Sequence, residues 1–284
     1  MLFRSLSAIA SLGMASGIGG FIAFPYTHLL MDLAGWKLSL LLLAATTAAV
    51  MPLAWSLAGK PGAVAGTTDT QSLGGAIKEA FTHPSYLLLV TGFFVCGFQL
   101  AFIGTHLPGY LTTCSLPAAL GATAFAVIGF FNMIGTWACG GLGARFRLKY
   151  LLALLYTVRG LAILLFLLAP KGEASVLVFA AVMGLTWLGT VPLTSGLVAQ
   201  IFGPRYLGTL FGLCFLNHQI GSFFGAWLGG YLFDTQGSYD PIWILTGIAG
   251  FVAGILHMPI NDRAIDAASV EANPIETMKA EVTS

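Results

Sequence analysis

Between Glu79 and Arg145 the chain runs 65 residues without a single formally charged side chain. A surface facing water is roughly a quarter charged, so a stretch of that length has lipid as its solvent. The rest of the sequence agrees, with 8% of its 284 residues charged, 57% hydrophobic and 36 of them glycine. In hydrocarbon every backbone amide must be paired, which leaves helices or closed barrels. The apolar runs extend for about 20 residues and are apolar on all faces, without the alternation of a barrel strand, and this selects helices. The expected fold class is an all-α polytopic membrane protein.

Cutting at charges, prolines and glycine-rich turns predicts eight transmembrane helices, at residues 7–30, 38–58, 86–108, 119–142, 150–169, 175–200, 207–232 and 242–258. Each can cross roughly 30 Å of hydrocarbon at about 1.5 Å per residue, the last with little to spare. An even count puts both termini on one side. Placing them in the cytoplasm assigns Arg4, Lys60, Lys78, Arg145, Arg147, Lys149, Arg205, Arg263 and Lys279 to the inside, and only Lys37 and Lys171 to the outside. The positive-inside rule favours this orientation, in a bacterial inner membrane. The start, Arg4 followed by an apolar run, imitates a signal peptide, but the uncharged stretch continues to Met31, beyond a typical signal core.

Four segments follow: a two-helix unit at 1–58, a linker at 59–85, a six-helix unit at 86–258 and a polar cytoplasmic tail at 259–284. The linker is rich in Gly, Thr and Ser and ends in the amphipathic stretch Leu73 to Phe81, which suits a flexible segment leading into an interfacial helix. The cysteines, Cys96, Cys114, Cys139 and Cys214, lack CxxC spacing and read as packing residues, with no disulfide framework, metal site or cofactor expected.

Six spans after a long cytoplasmic loop, with the short basic loop Gly140-Gly-Leu-Gly-Ala-Arg-Phe-Arg-Leu-Lys149 between the second and third of them, resemble the C-terminal half of a major facilitator superfamily transporter. The loop is similar to that family's signature G-x-L-x-D-R-x-G-R-K, with Gly140, Leu142, Arg145 and Lys149 in place. Ala144 stands where the signature has an acid and Arg147 where it has its second glycine, so the resemblance gives no support to a charge relay in this loop. Residues 201–212 are similar to the entry of the family's eleventh helix, and Asn217 to Gly230 to bacterial members related to monocarboxylate and oxalate/formate carriers.

The resemblance implies a partial fold, equivalent to helices five to twelve, and secondary transport of a small solute, an organic anion among the candidates, by alternating access. Such carriers rock two six-helix halves about a midplane site. With helices one to four missing, the expectation is either that a second chain supplies the absent helices or that this is a truncated or mis-started fragment without transport of its own.

At about 100° per residue, Gln99 and His106 share a stripe of the third span with Cys96, and Asn132 lies on a Gly/Thr face of the fourth. Trp187 and Thr190 share a face of the sixth span, and Asn217 and His218 lie in the glycine arc of the seventh. The resemblance maps these spans to cavity-lining helices, which makes those residues substrate-binding candidates. The simpler reading is that glycines let the helices approach and Asn, Thr or His then hydrogen-bond across the contact. Gln99, His106 and His218 are expected to face one polar cavity. A histidine there titrates near pH 6.5 when unperturbed, which would link uptake to a proton.

Arg159, in the fifth span with no acid in any span to neutralise it, costs about 3 kcal/mol on insertion scales. It either meets a carboxylate of the substrate or hydrogen-bonds helix-end carbonyls, Tyr156 or Asn132 behind the cavity. Enzyme chemistry finds no HExxH, GxSxG or span carboxylates, a channel finds no repeated charged ring, and a net charge of +1 excludes nucleic acid as a partner.

Overall fold

The computed structural model describes residues 2–50, 52 and 72–265. They form helices α1 (Leu2–Val50), α2 (Leu73–Thr82), α3 (Pro84–Thr113), α4 (Ala118–Gly143), α5 (Leu148–Leu168), α6 (Glu173–Thr186), α7 (Thr190–Phe202), α8 (Leu207–Gln236) and α9 (Asp240–His257). Among the described residues there is no strand. Six stretches of the described residues are long and apolar enough to cross a membrane: Leu29–Ala49, α3, α4, α5, the α6–α7 unit Glu173–Phe202, and α9. The protein is an integral membrane protein.

Differences from the eight expected spans have local causes. The first two, expected on either side of residues 31–37, do meet at a break: within α1 two helical stretches join across a kink at Gly35 (φ 68°, ψ 167°), a backbone conformation that glycine reaches at least cost. Helix α8 is 30 residues long, but its glycines together with Asn217, His218, Gln219 and Ser222 keep it off the apolar set. The span expected at 175–200 is two helices, interrupted at Trp187, Leu188 and Gly189. Residues 51 and 53–58 of the expected second span, and 59–71 of the linker, lie outside the described residues. The amphipathic stretch is α2, opened by Ser72, whose hydroxyl accepts a hydrogen bond from the Gly75 N–H at 3.1 Å.

Three helix pairs build the bundle, α3 with α8, α5 with α9 and α4 with α6, while α1 lies against α4 and α7. Lipid offers no hydrophobic drive for association, so backbone proximity and interhelical hydrogen bonds must supply it. Along α3 and α8, a Cβ placed on Gly97 would overlap the His218 carbonyl, and one on Gly225 the Phe98 carbonyl. The outward faces carry Trp137, Leu154, Leu165, Phe223, Trp227 and Ile255, all exposed, as a surface solvated by lipid requires.

Residues 259–265 of the expected polar tail pack against the bundle. Ile260 is fully buried and Asp262 nearly so. Asn261 N–H donates to Ser85 Oγ at 2.9 Å, and Lys149 Nζ donates to the carbonyls of Met258 and Ile260 at 3.2 and 2.6 Å. Arg147 donates through Nε to Asp262 Oδ2 at 2.9 Å and through Nη2 to Oδ1. That hydrogen-bonded pairing holds the Asp262 carboxyl below its ordinary value of 3.8. An acid from the C-terminal segment thus meets the basic loop that carries Ala144 where the family signature has its own acid. Residues 266–284 of the expected tail lie outside the described residues.

Candidate functional site

The interruption between α6 and α7 is legible in hindsight from Gly189 and Pro192, three residues apart inside an apolar span. A broken helix exposes the carbonyls that end α6 and the N–H groups that begin α7, and in a bilayer each needs a partner. Asn132 of α4 serves one side: its Oδ1 accepts from the Leu188 N–H at 3.0 Å and from Thr136 Oγ1 at 3.1 Å. Arg159 of α5 serves the other. Its Nη2 donates to the Thr186 carbonyl and, at 3.1 Å, to that of Trp187, so a cation sits on the negative end of the α6 dipole.

Arg159 is fully buried, and no carboxylate is among its hydrogen-bond partners. Nη1 donates to Cys96 Sγ at 3.3 Å, an ordinary separation for a sulfur acceptor, and to Gln99 Oε1 at 3.4 Å, long for a charged donor to oxygen. The guanidinium lies over the Tyr156 ring, 5.7 Å from its centroid. Its Nε–H and the Tyr156 hydroxyl have no partner. Thr190, the first residue of α7, places Oγ1 3.4 Å from Cys96 Sγ. Gln99 donates from Nε2 to the Thr246 carbonyl at 3.0 Å.

The structure therefore brings together Gln99, Arg159, Trp187 and Thr190, with Asn132 reaching the same break through Leu188. Arg159 touches Gln99 instead of lying behind it, because the broken helix draws the guanidinium inward. Cys96, read from sequence as packing, is at the centre; its place on the Gln99 stripe was the available signal. His218 is buried beside Phe93 (ring centroids 4.7 Å apart), with Nδ1 3.2 Å from Gln219 Oε1.

His106 and Asn217 are held elsewhere, in the α3–α8 seam. His106 Nε2 is 2.8 Å from the Ala226 carbonyl, with its ring facing Gly229, and Asn217 Nδ2 donates to the Val90 carbonyl at 2.8 Å. Neither histidine shares a cavity with Gln99 among the hollows found. One hollow is an apolar groove of about 410 Å³ between α5 and α6; another, of about 280 Å³, lies among α2, the α7–α8 turn and residues 264–265. Among the described residues, no three His, Cys, Asp or Glu side chains gather as a metal site.

Comparison with known proteins gives the lineage. The family model of the Major Facilitator Superfamily matches residues 4–226. The chain is similar to the "Uncharacterized MFS-type transporter YcxA" of Bacillus subtilis (strain 168), 26% identical over 249 residues that cover 82% of this chain and 58% of that protein. It is also similar to monocarboxylate transporter 13 of Rattus norvegicus, 24% identical over 243 residues, covering 81% of this chain and 54% of the relative. The chain thus spans little more than half the length of these relatives. With the match extending from the first helix well into α8, the chain belongs to the Major Facilitator Superfamily.

Proposed function

We propose that this chain contributes to secondary transport of a small solute, an organic anion, by alternating access, with both termini in the cytoplasm. The observation that carries the reading is Arg159, a buried guanidinium at the break of a membrane-crossing helix with no carboxylate among its partners. Discontinuous helices with free ends near the bilayer midplane are where carriers place solute and coupling ions. A coupled proton in this reading falls to His218 rather than to His106, which the Ala226 carbonyl holds in the α3–α8 seam. The rat relative's name adds a carboxylate as one substrate class to test.

A second reading has its own support. Within the stretch Leu29–Ala49 of α1 only 6% of the residues in its apolar window are buried, and the relatives are nearly twice as long as the matched region. A face left so bare suits a chain that transports only when further helices pack on it.

Proteoliposomes holding the 284-residue chain, tested for uptake of a radiolabelled short-chain carboxylate under an inward proton gradient, separate the two. The second reading expects no saturable uptake from the chain alone. Saturable uptake that a protonophore abolishes would support transport by assembled copies and sink the fragment reading. Uptake competed equally by a carboxylate and its neutral amide would overturn the anion assignment.

A further inference from the structure

We propose that the groove between α5 and α6 is a lipid site that holds one acyl chain of a zwitterionic phospholipid, with its headgroup at the α5–α6 connection. The inference goes beyond transport and rests only on the chain's place in a membrane.

The groove exists because α5 and α6 belong to different helix pairs, α5 packing on α9 and α6 on α4. Arg159 ties the two together at one level, through the Thr186 carbonyl. From there toward residues 169–172 they leave a channel of about 410 Å³. Its floor is the stacked pair Phe166 and Phe179, both buried, with ring centroids 4.2 Å apart. Leu161, Leu165 and Val178 stand beside it as exposed walls, and the small side chain of Ala162 leaves the space between them open.

Chemistry and dimensions together select the occupant. Ser175 is the one polar side chain on the wall, and its hydroxyl is engaged in the turn, 2.7 Å from the Pro170 carbonyl and 2.9 Å from that of Gly172. A lining without free polar groups gives water nothing to bind, so hydrocarbon fills it. The lining runs along α5 from Val158 to Ala169, about 16 Å at about 1.5 Å per residue, and one leaflet of the hydrocarbon core is about 15 Å deep. A volume of about 410 Å³ over that length averages about 25 Å² in section, room for one hydrocarbon chain and too narrow for a helix of about 10 Å diameter.

The mouth of the groove carries both signs of charge. Lys171 Nζ lies 5.4 Å from the centroid of the Phe166 ring and holds the carbonyls of Phe166, Leu167 and Ala169 at 2.9, 2.8 and 2.7 Å. With its three N–H groups committed, it meets a phosphate through charge alone. Glu173 is exposed in the first turn of α6. A cation and an anion side by side complement a headgroup that carries a phosphate and an ammonium, whereas a purely anionic headgroup meets Glu173 as a like charge. At the inner end, Val158 and Val182 lie beside Arg159 and one turn before Thr186, so a seated chain braces the spacing of α5 and α6 next to the break.

Native mass spectrometry of the full chain, exposed in detergent to equal amounts of phosphatidylethanolamine and phosphatidylglycerol with the same acyl chains, counts the lipid that stays bound. The expected result is one retained phosphatidylethanolamine per chain. Ala162→Phe, which puts a ring into the channel, should lower its retention at least about tenfold. Leu154→Phe, exposed on α5 outside the groove, should leave it unchanged. Glu173→Gln should reduce the preference for phosphatidylethanolamine by about two- to fivefold, the loss of one exposed charge contact. If Ala162→Phe does not fold, Val178→Trp, at a position already exposed, makes the same test. Undiminished retention in the groove-filling variant, equal loss in Leu154→Phe, equal retention of the two lipids, or an unchanged preference in Glu173→Gln overturns the proposal.

Discussion

Replacing Gly225 by alanine tests whether backbone proximity holds α3 to α8. The new Cβ would overlap the Phe98 carbonyl oxygen and lie 2.9 Å from its carbon and 3.0 Å from Phe98 Cα. These are backbone atoms of a helix and cannot rotate away, so the two helices must part by up to about 1 Å. The interhelical hydrogen bonds Asn217 to Val90 and His106 to Ala226, both 2.8 Å, flank the site and would stretch with it. Overpacking of this kind costs about 1–3 kcal/mol, and two weakened membrane hydrogen bonds add about 0.6 kcal/mol each. The sum, about 2–4 kcal/mol, corresponds to a melting temperature lower by at least about 4 °C. Gly212→Ala is the control, because its Cβ meets nothing within 4 Å and alanine gains up to about 1 kcal/mol in helix propensity. Tryptophan fluorescence of the purified chain during heating provides the assay. Equal melting of the two variants, or a Gly225→Ala protein indistinguishable from wild type, would refute the argument.

Two further outcomes concern the C-terminal segment and the proposed orientation. Arg147 lowers the Asp262 carboxyl below 3.8, so the contribution of this pair to docking residues 258–265 is fully present above that pH and is lost as pH falls through the lowered value; protease cleavage after Arg263 should stay slow at pH 7 and accelerate only in strong acid, and acceleration already at pH 5 would contradict it. Reporter fusions after position 58 and at the C-terminus should both report cytoplasm, given the basic asymmetry, and an external signal at either would overturn the orientation.

The membrane environment and the helical class were fixed by local chemistry: 65 uncharged residues admit no other solvent, and the all-round apolarity admits no other spanning structure. The short amphipathic helix α2 was readable for the same reason, since Ser72 and the amphipathic run after it act within a few residues. The residue types of the site were also visible, because a buried cation in an apolar span is costly wherever it lies. What decided their arrangement was long-range. Arg159 reaches Thr186 and Trp187 only because α6 ends there, and that end depends on Asn132, from another helix, holding Leu188. His106 and Gln99, one stripe on one helix, part company because α8 offers the Ala226 carbonyl at one level and α9 the Thr246 carbonyl at another. Periodicity tells which side chains share a face; which backbone carbonyl waits opposite is set by helix pairing, and only the tertiary structure decides that.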